Sequence, residues 1–573
     1  MFIDSRLIEI NQTISTDICI IGAGPAGITL AKEFAGKEIQ VCLLESGGLT
    51  PDPSIQALND SMESVGDQIP PCPNFPPAQT MRSRQFGGTS NQWVYQNMRP
   101  YRTQVDKIVR YVPLEEIDFE KRDWLPYSGW PITKKDLDPY YQRAQVICGL
   151  GPYSYEPKDW ESEDAKQISF DERIFISRMF QFSTGDIFTH DYQELIRTAP
   201  NIKTYLYASV YELEVNETAQ TVTRARFLNP QGQAFWVTAK QFILATGGIE
   251  NARLLLLSNQ VQKTGLGNQY DLVGRFLMDH PLVRVGTIRP SSRKTISQLR
   301  LYGIRKFDNT EVQAKPILSS NIIRQENLLN ANFFLLPRHS ITGFNPLRFL
   351  FPNGKNYISQ AVSSGMVLSR KIRGFKLETD DIKHLMAALR GFDDILYFYS
   401  RKFVSPENAI ESYWPQEANR EKNFGIIQVY SCTEQAPCPD NRVVLGTEKD
   451  QFGYPKVQLN WHWDELSRRS FVRTETLFKE AVFEAGLGKL DLELDKGNPQ
   501  LFRPSIHHNM GTTRMHENPR HGVVDANCKV HGVSNLFIAG SSTFPTGGYA
   551  NPTLTIVALA IRLADHIKTV LVT

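Results

Sequence analysis

The sequence has no strong excess of either charge. Lys and Arg total 63 against 61 Asp and Glu in 573 residues, a net charge of +2. That balance excludes the basic footprint of a nucleic-acid-binding protein. No segment approaches the ~20 uninterrupted apolar residues that a bilayer-spanning helix needs. CxxC pairs are absent, and the seven cysteines (Cys19, Cys42, Cys72, Cys148, Cys432, Cys438, Cys528) are odd in number and scattered. Neither a disulfide framework nor a metal site is therefore expected, and a reducing compartment fits. The opening MFIDSRLIEINQTISTDICIIGAG lacks the charged start, apolar core and cleavage site of a secretion signal, so a cytoplasmic location is the expectation. Internal repeats and low-complexity tracts are also missing. From Pro51 to Thr80, recurring prolines forbid long regular elements, and an irregular excursion is expected there.

What is present begins with a nucleotide-binding unit. A short apolar run, Ile18 to Ile21, leads into Gly22, Gly24 and Gly27 of a GxGxxG sequence, then into a helical pattern with Ile28, Leu30, Ala31 and Phe34. A second run, Val41 to Leu44, ends at Glu45. The first glycine permits a tight turn, the second admits a pyrophosphate to the backbone, and the third lets helix and strand pack closely. The helix start offers free N–H groups and a positive dipole end. Glu45 is placed to accept hydrogen bonds from a ribose. This unit predicts a dinucleotide site but does not choose between FAD and NAD.

Further along, FILATGGIENARLLLLS reads as a strand, a glycine turn and a helix. NLFIAGSSTFPTGGYANPTLTIVALAIRLADHI reads as a strand, a loop and a helix beginning near Asn551 and Pro552. Asparagine suits an N-cap and proline the first helical position. GAGPAG, RQFGGTSNQW, LVGRFLMDHP, HHNMGTTRM, VVD, VHGVSNLFIAGSS and NPTLTI, in this order, resemble the glucose–methanol–choline (GMC) oxidoreductases, nearest to bacterial sugar dehydrogenases and pyranose oxidase. The resemblance runs from about residue 16 to 567 and is patchy between about 290 and 430.

The resemblance implies an α/β, Rossmann-like FAD-binding domain from residues 1–290 and 501–573, with a cofactor-covering loop at 51–100. It also implies an α+β substrate-binding domain on an antiparallel sheet, residues 291–500, with a helical insertion at about 340–405. FAD contacts are implied at Gly22, Gly24, Pro25, Ala26, Gly27 and Glu45, and at Gly87, Gly88, Thr89 and Asn91. They are implied also at Val210, Ala245, Thr246, Gly247, Gly540, Asn551, Pro552 and Thr553. Some relatives bond flavin covalently through a histidine just before the tryptophan of the covering loop. Gln92 stands there, so non-covalent FAD is expected.

The reaction implied is oxidation of a sugar, glycoside or related alcohol, with hydride transfer to flavin N5. Oxygen, a quinone or a redox protein would reoxidise the flavin. The pattern H-x-x-G-T selects His508 as general base, with Asn551 as its partner on the substrate oxygen. In an extended chain successive side chains oppose, so His507 is expected to face into protein. Asn551 also suits a helix cap, and His280 of MDHP is assigned to structure. A GMC-fold lyase or decarboxylase, a non-catalytic flavin subunit and an NAD-dependent dehydrogenase are the alternatives.

In the middle of the chain, RVVLG, KVQLNWHW and FGIIQVY suggest strands of the substrate sheet. Trp461 and Trp463 fit a half-buried strand better than a sugar platform. Ile382, Leu385, Leu389, Phe392 and Leu396 mark an amphipathic helix. Arg370, Lys371, Arg373 and Lys376 form a basic cluster, read as a solvated face.

Overall fold

The computed structural model describes residues 1–9, 12–62, 78–93, 108–339, 368, 381–390, 424–495, 498–503 and 506–572. The basic cluster, Phe392, Leu396 and most of the expected insertion lie outside these residues.

Two sheets organise the described chain. In the first, the strand order is Phe2–Asp4, Ile202–Leu206, Val41–Leu44, Thr13–Ile21, Ala234–Leu244, Val222–Leu228 and Ser209–Val215, and Leu536–Ile538 also pairs with Ala234–Leu244. The strands from Phe2–Asp4 to Ala234–Leu244 pair in parallel, as does Leu536–Ile538; the last two strands of the order are antiparallel. Continuous apolar runs such as Ile18–Ile21 and Val41–Leu44 are buried throughout, as a parallel sheet covered on both faces requires. Helices Pro25–Phe34 and Thr553–Val572 belong to this layer.

The second sheet has ten strands, and every recorded pairing in it is antiparallel. Its strands include Leu282–Pro290, Phe424–Thr433, Ala331–His339, Thr310–Leu318, Phe175–Thr184 and Ile108–Tyr111. Helix Glu465–Glu484 packs on it, with Phe478 stacked on Phe333 at 3.8 Å between ring centroids. Ile108–Tyr111, Phe175–Thr184 and Leu282–Pro290 precede residue 291, so the sheet draws chain from both sides of the expected boundary.

Of the three strands expected for this sheet, only FGIIQVY joins it, within Phe424–Thr433. Arg442–Lys449 and Pro455–Asn460 instead form a three-stranded sheet with Ser61–Met62. Trp461 and Trp463 follow that strand rather than forming part of it. Trp461 is buried and donates its indole N–H to Gln435 Oε1 (3.0 Å), while Trp463 meets Phe471 edge to face at 4.8 Å. Both pack; neither reaches the cavity described below. The amphipathic helix is present as Ile382–Arg390, with Ile382, Leu385 and Leu389 exposed. All described cysteines are free thiols.

Candidate active site

A cavity of about 650 Å³ opens between the two sheets. One end is built by the turn after the strand Thr13–Ile21. Gly22 has a φ of +105°, and a Cβ there would sit 2.6 Å from the Ala245 carbonyl oxygen. A Cβ on Gly27 would stand 1.9 Å from the Gly22 carbonyl oxygen, so Gly27 lies behind the cavity wall and lets the helix pack onto the turn. Gly88 brings the covering loop onto Gly24, where an added Cβ would come within 2.9 Å of the Gly24 Cα. Bare backbone thus faces the cavity from both loops.

Glu45 lines the same end. Its carboxylate accepts the N–H of Ala23 (2.9 Å) and of Gly47 (2.8 Å). Desolvation raises its pKa, and these backbone bonds oppose the rise. A carboxylate has lone pairs to spare after two bonds, which suits a ribose diol.

Of the FAD contacts and catalytic residues that the resemblance implies, all but Gly27, Gly87 and Asn91 line this cavity. Gly87 has a left-handed backbone beside Thr189. The Asn91 amide donates to the carbonyls of Phe86 and Gly88 (2.9 Å each). Both therefore shape the covering loop from behind.

Unmarked in the sequence is a cluster of ions beside the cavity. Arg82 and Arg84 line it and converge on Glu250. Glu250 also meets Arg253, which pairs with Asp450 at 2.9 Å. Despite desolvation, the three guanidiniums hold the Glu250 carboxyl far below the usual range.

At the other end stand the paired histidines. Met278 and Met510 exchange backbone hydrogen bonds (3.0 and 2.9 Å). This fixes MDHP against HHNMGTTRM. On the opposite side, the N–H groups of Gly511, Thr513 and Met515 donate to the carbonyls of Ser541, Ser542 and Thr543. The histidine segment is therefore clamped between two other motifs.

The carboxylate of Asp279 secures it. Oδ1 accepts the N–H of His280 (2.6 Å), Ile506 (3.1 Å) and His508 (3.1 Å), and Oδ2 accepts the Asn509 amide (3.1 Å). Asp279 is 1% exposed. No motif chemistry marked it, because its role appears only when residues some 230 positions apart meet.

The expected opposition of His507 and His508 does not hold. His507 has a φ of +68°, so the chain turns instead of running extended, and both residues line the cavity. His508 stands out by its partners. Its Nδ1 lies 2.9 Å from His280 Nδ1, and its Nε2 lies 3.4 Å from Asn551 Nδ2. His280, assigned to structure from the sequence, thus touches the candidate base. Desolvation, then the His280, Arg110 and His507 charges, hold His508 well below the ordinary imidazole pKa. Arg110 is buried, lines the cavity, and lies over Phe334 at 5.0 Å.

Asn551 is delivered by a buried loop. Thr546 donates to the Asp118 carbonyl (2.6 Å), Tyr549 to Glu115 Oε1 (2.8 Å), and Asn332 to the Tyr549 carbonyl (3.3 Å). Behind them the Arg122–Glu434 pair is buried, with contacts of 2.6 and 2.9 Å. Asn330 links Glu434 to Asp118. Burial raises Asp118 to about 7.

Comparison with known proteins agrees with this architecture. The GMC oxidoreductase family model matches residues 437–560. The chain is 34% identical to the 6'''-hydroxyparomomycin C oxidase of Streptomyces lividus, over 96% of this chain and 92% of that one. It is 24% identical to the fructose dehydrogenase large subunit of Gluconobacter japonicus, over 97% and 98%. A formate oxidase structure from Aspergillus oryzae RIB40 superposes over 98% of this chain and 99% of that one, at a TM-score of 0.50 and 16% identity, a likeness of fold alone. The chain belongs to the GMC oxidoreductase family. It is an oxidoreductase of CH–OH groups, and FAD is the cofactor that membership implies. The cavity fits that cofactor: a glycine-lined turn at a helix start, a carboxylate with lone pairs to spare and a second helix start at Thr553.

Asp279→Ala strips the acceptor from three backbone N–H groups, each costing about 1–3 kcal/mol when left buried and unsatisfied. The variant is expected to melt at lower temperature and to lose at least tenfold in flavin reduction. Unchanged melting and activity would show the clamp to be dispensable.

Proposed function

We propose that this protein oxidises a hydroxyl group of a sugar, glycoside or related alcohol to a carbonyl, using FAD held non-covalently. The observation that carries the reading is the meeting of His508 Nε2 and Asn551 Nδ2, 3.4 Å apart, on the cavity wall. A neutral imidazole accepts the hydroxyl proton there, and the asparagine amide donates to the hydroxyl oxygen and fixes its orientation. Such a positioned base contributes roughly 10²–10⁴-fold. Bound FAD supplies the hydride acceptor. The relatives named for fructose and for 6'''-hydroxyparomomycin C support a polyhydroxylated substrate.

Burial and the nearby Arg110 favour the neutral form of His508, the form that accepts a proton. The helix Thr553–Val572 begins at the cavity. Its free N–H groups and dipole suit negative charge developing on the cofactor. Gln92, which lines the cavity, carries no nucleophile, and its amide donates to the Arg82 carbonyl (3.0 Å).

In anaerobic mixing with a panel of sugars and alcohols, the holoenzyme is expected to bleach its flavin with at least one. His508→Ala should retain FAD and lose about 10²-fold or more in that rate; a normal rate in this variant would remove His508 from the role of base. Because the His508 pKa is depressed and the neutral form is active, the reduction rate should stay flat as pH falls through about 6.5, the ordinary imidazole value. A titration of the rate centred at that value would contradict the depressed pKa. Acid precipitation of the holoenzyme should release all flavin into the supernatant, and yellow precipitate would indicate a covalent bond.

A further inference from the structure

We propose that His280 is a positioning residue that fixes the tautomer of His508, holding its proton on Nδ1 so that Nε2 presents a bare lone pair to the cavity. The proposal rests on His508 being the base.

The two Nδ1 atoms stand 2.9 Å apart, with the rings nearly perpendicular at 89°. A hydrogen bond between two neutral imidazoles needs one N–H and one lone pair. If His280 donated, the single proton of neutral His508 would sit on Nε2, and the nitrogen facing substrate would have nothing with which to accept a proton. If His508 donates, Nε2 is free.

Two observations select the second arrangement. His280 is fully buried, and burial presses its pKa to about 4, so the ring is neutral and carries one N–H. Its Nε2 faces the Gly547–Gly548 backbone: a Cβ on Gly547 would lie 3.3 Å from it. That Nε2 forms no hydrogen bond among the described residues; an N–H there directed at the neighbouring Gly547–Gly548 backbone, which raises the ring's proton affinity, leaves Nδ1 as acceptor. Independently, the Asn551 amide Nδ2 faces His508 Nε2. A donor there calls for a lone pair on that nitrogen, not a second N–H.

The chain of contacts therefore runs from the Gly547–Gly548 backbone through His280 to His508. When His508 takes a proton on Nε2, its Nδ1–H already has an acceptor, and neither ring has to turn. A base held in the wrong tautomer loses up to ~10⁴-fold in rate.

The test uses the FAD-loaded enzyme with ¹⁵N-labelled histidine. The imidazole shifts of His508, assigned by loss of its signals in His508→Ala, are expected to report the Nδ1–H tautomer. Finding Nε2–H in the wild-type enzyme overturns the proposal without any variant of His280. His280→Ala is expected to slow flavin reduction about 10²-fold, with the substrate dissociation constant within about twofold and the flavin spectrum unchanged. His280→Asn places an acceptor oxygen near the lost Nδ1 and should recover about tenfold of the loss. A wild-type rate in His280→Ala, or an Asn variant no faster than the Ala variant, also overturns it. If His508→Ala reduces flavin normally, the base assignment fails, while the ¹⁵N shifts still decide what His280 does to its neighbour.

Discussion

One buried carboxylate holds the reacting end of this molecule together. Asp279 gathers three backbone N–H groups and an amide from two segments of chain. A segment with a left-handed histidine has no sheet ladder to satisfy its backbone, and a buried unpaired N–H is costly. The charged acceptor supplies what the ladder does not, and the geometry of His507, His508 and Asn509 follows from it. The ring of His280, set by the same turn, then meets His508.

The two ends of the cavity obey different physics. The nucleotide end is backbone chemistry: glycines at Gly22, Gly24 and Gly88 remove side chains so that N–H groups and helix starts face the space. The reacting end is side-chain chemistry under desolvation. Imidazoles, an arginine and an amide meet there, and burial disfavours the charged forms of His280 and His508. Between the two ends, Arg82, Arg84 and Arg253 converge on Glu250, with Asp450 balancing Arg253 on the far side.

The strand, glycine turn and helix at one end of the cavity were legible in the sequence because they are local. Strand, turn, helix, strand and Glu45 follow one another within 33 residues, Thr13 to Glu45, and local periodicity reports them. His508 and Asn551 were legible only through the order of motifs. Asp279, Arg110 and the partnership of His280 were not legible, since each depends on contacts between distant segments. Alternation does not reach His507, because it requires extended backbone and a φ of +68° at a non-glycine residue carries no sequence mark. RVVLG and KVQLN read correctly as strands, but strand character does not say which sheet a strand joins. KVQLN pairs with Ser61–Met62, almost 400 residues away, and RVVLG pairs with KVQLN.

The strand Leu536–Ile538 completes the first sheet beside Ala234–Leu244, and the histidine segment reaches Asp279 from more than 220 residues downstream. Both closures wait for the last part of the chain. While that part is still in the ribosome, the parallel sheet has an open flank next to its central strand, and Asp279 is a carboxylate without donors. Such a chain lacks the histidine turn and the helix start at Thr553 that line the cavity. Long-range closure of this kind is slow and leaves strand edges uncovered meanwhile. The segment after residue 500 thus supplies both the histidine turn and the helix start at Thr553 to one cavity.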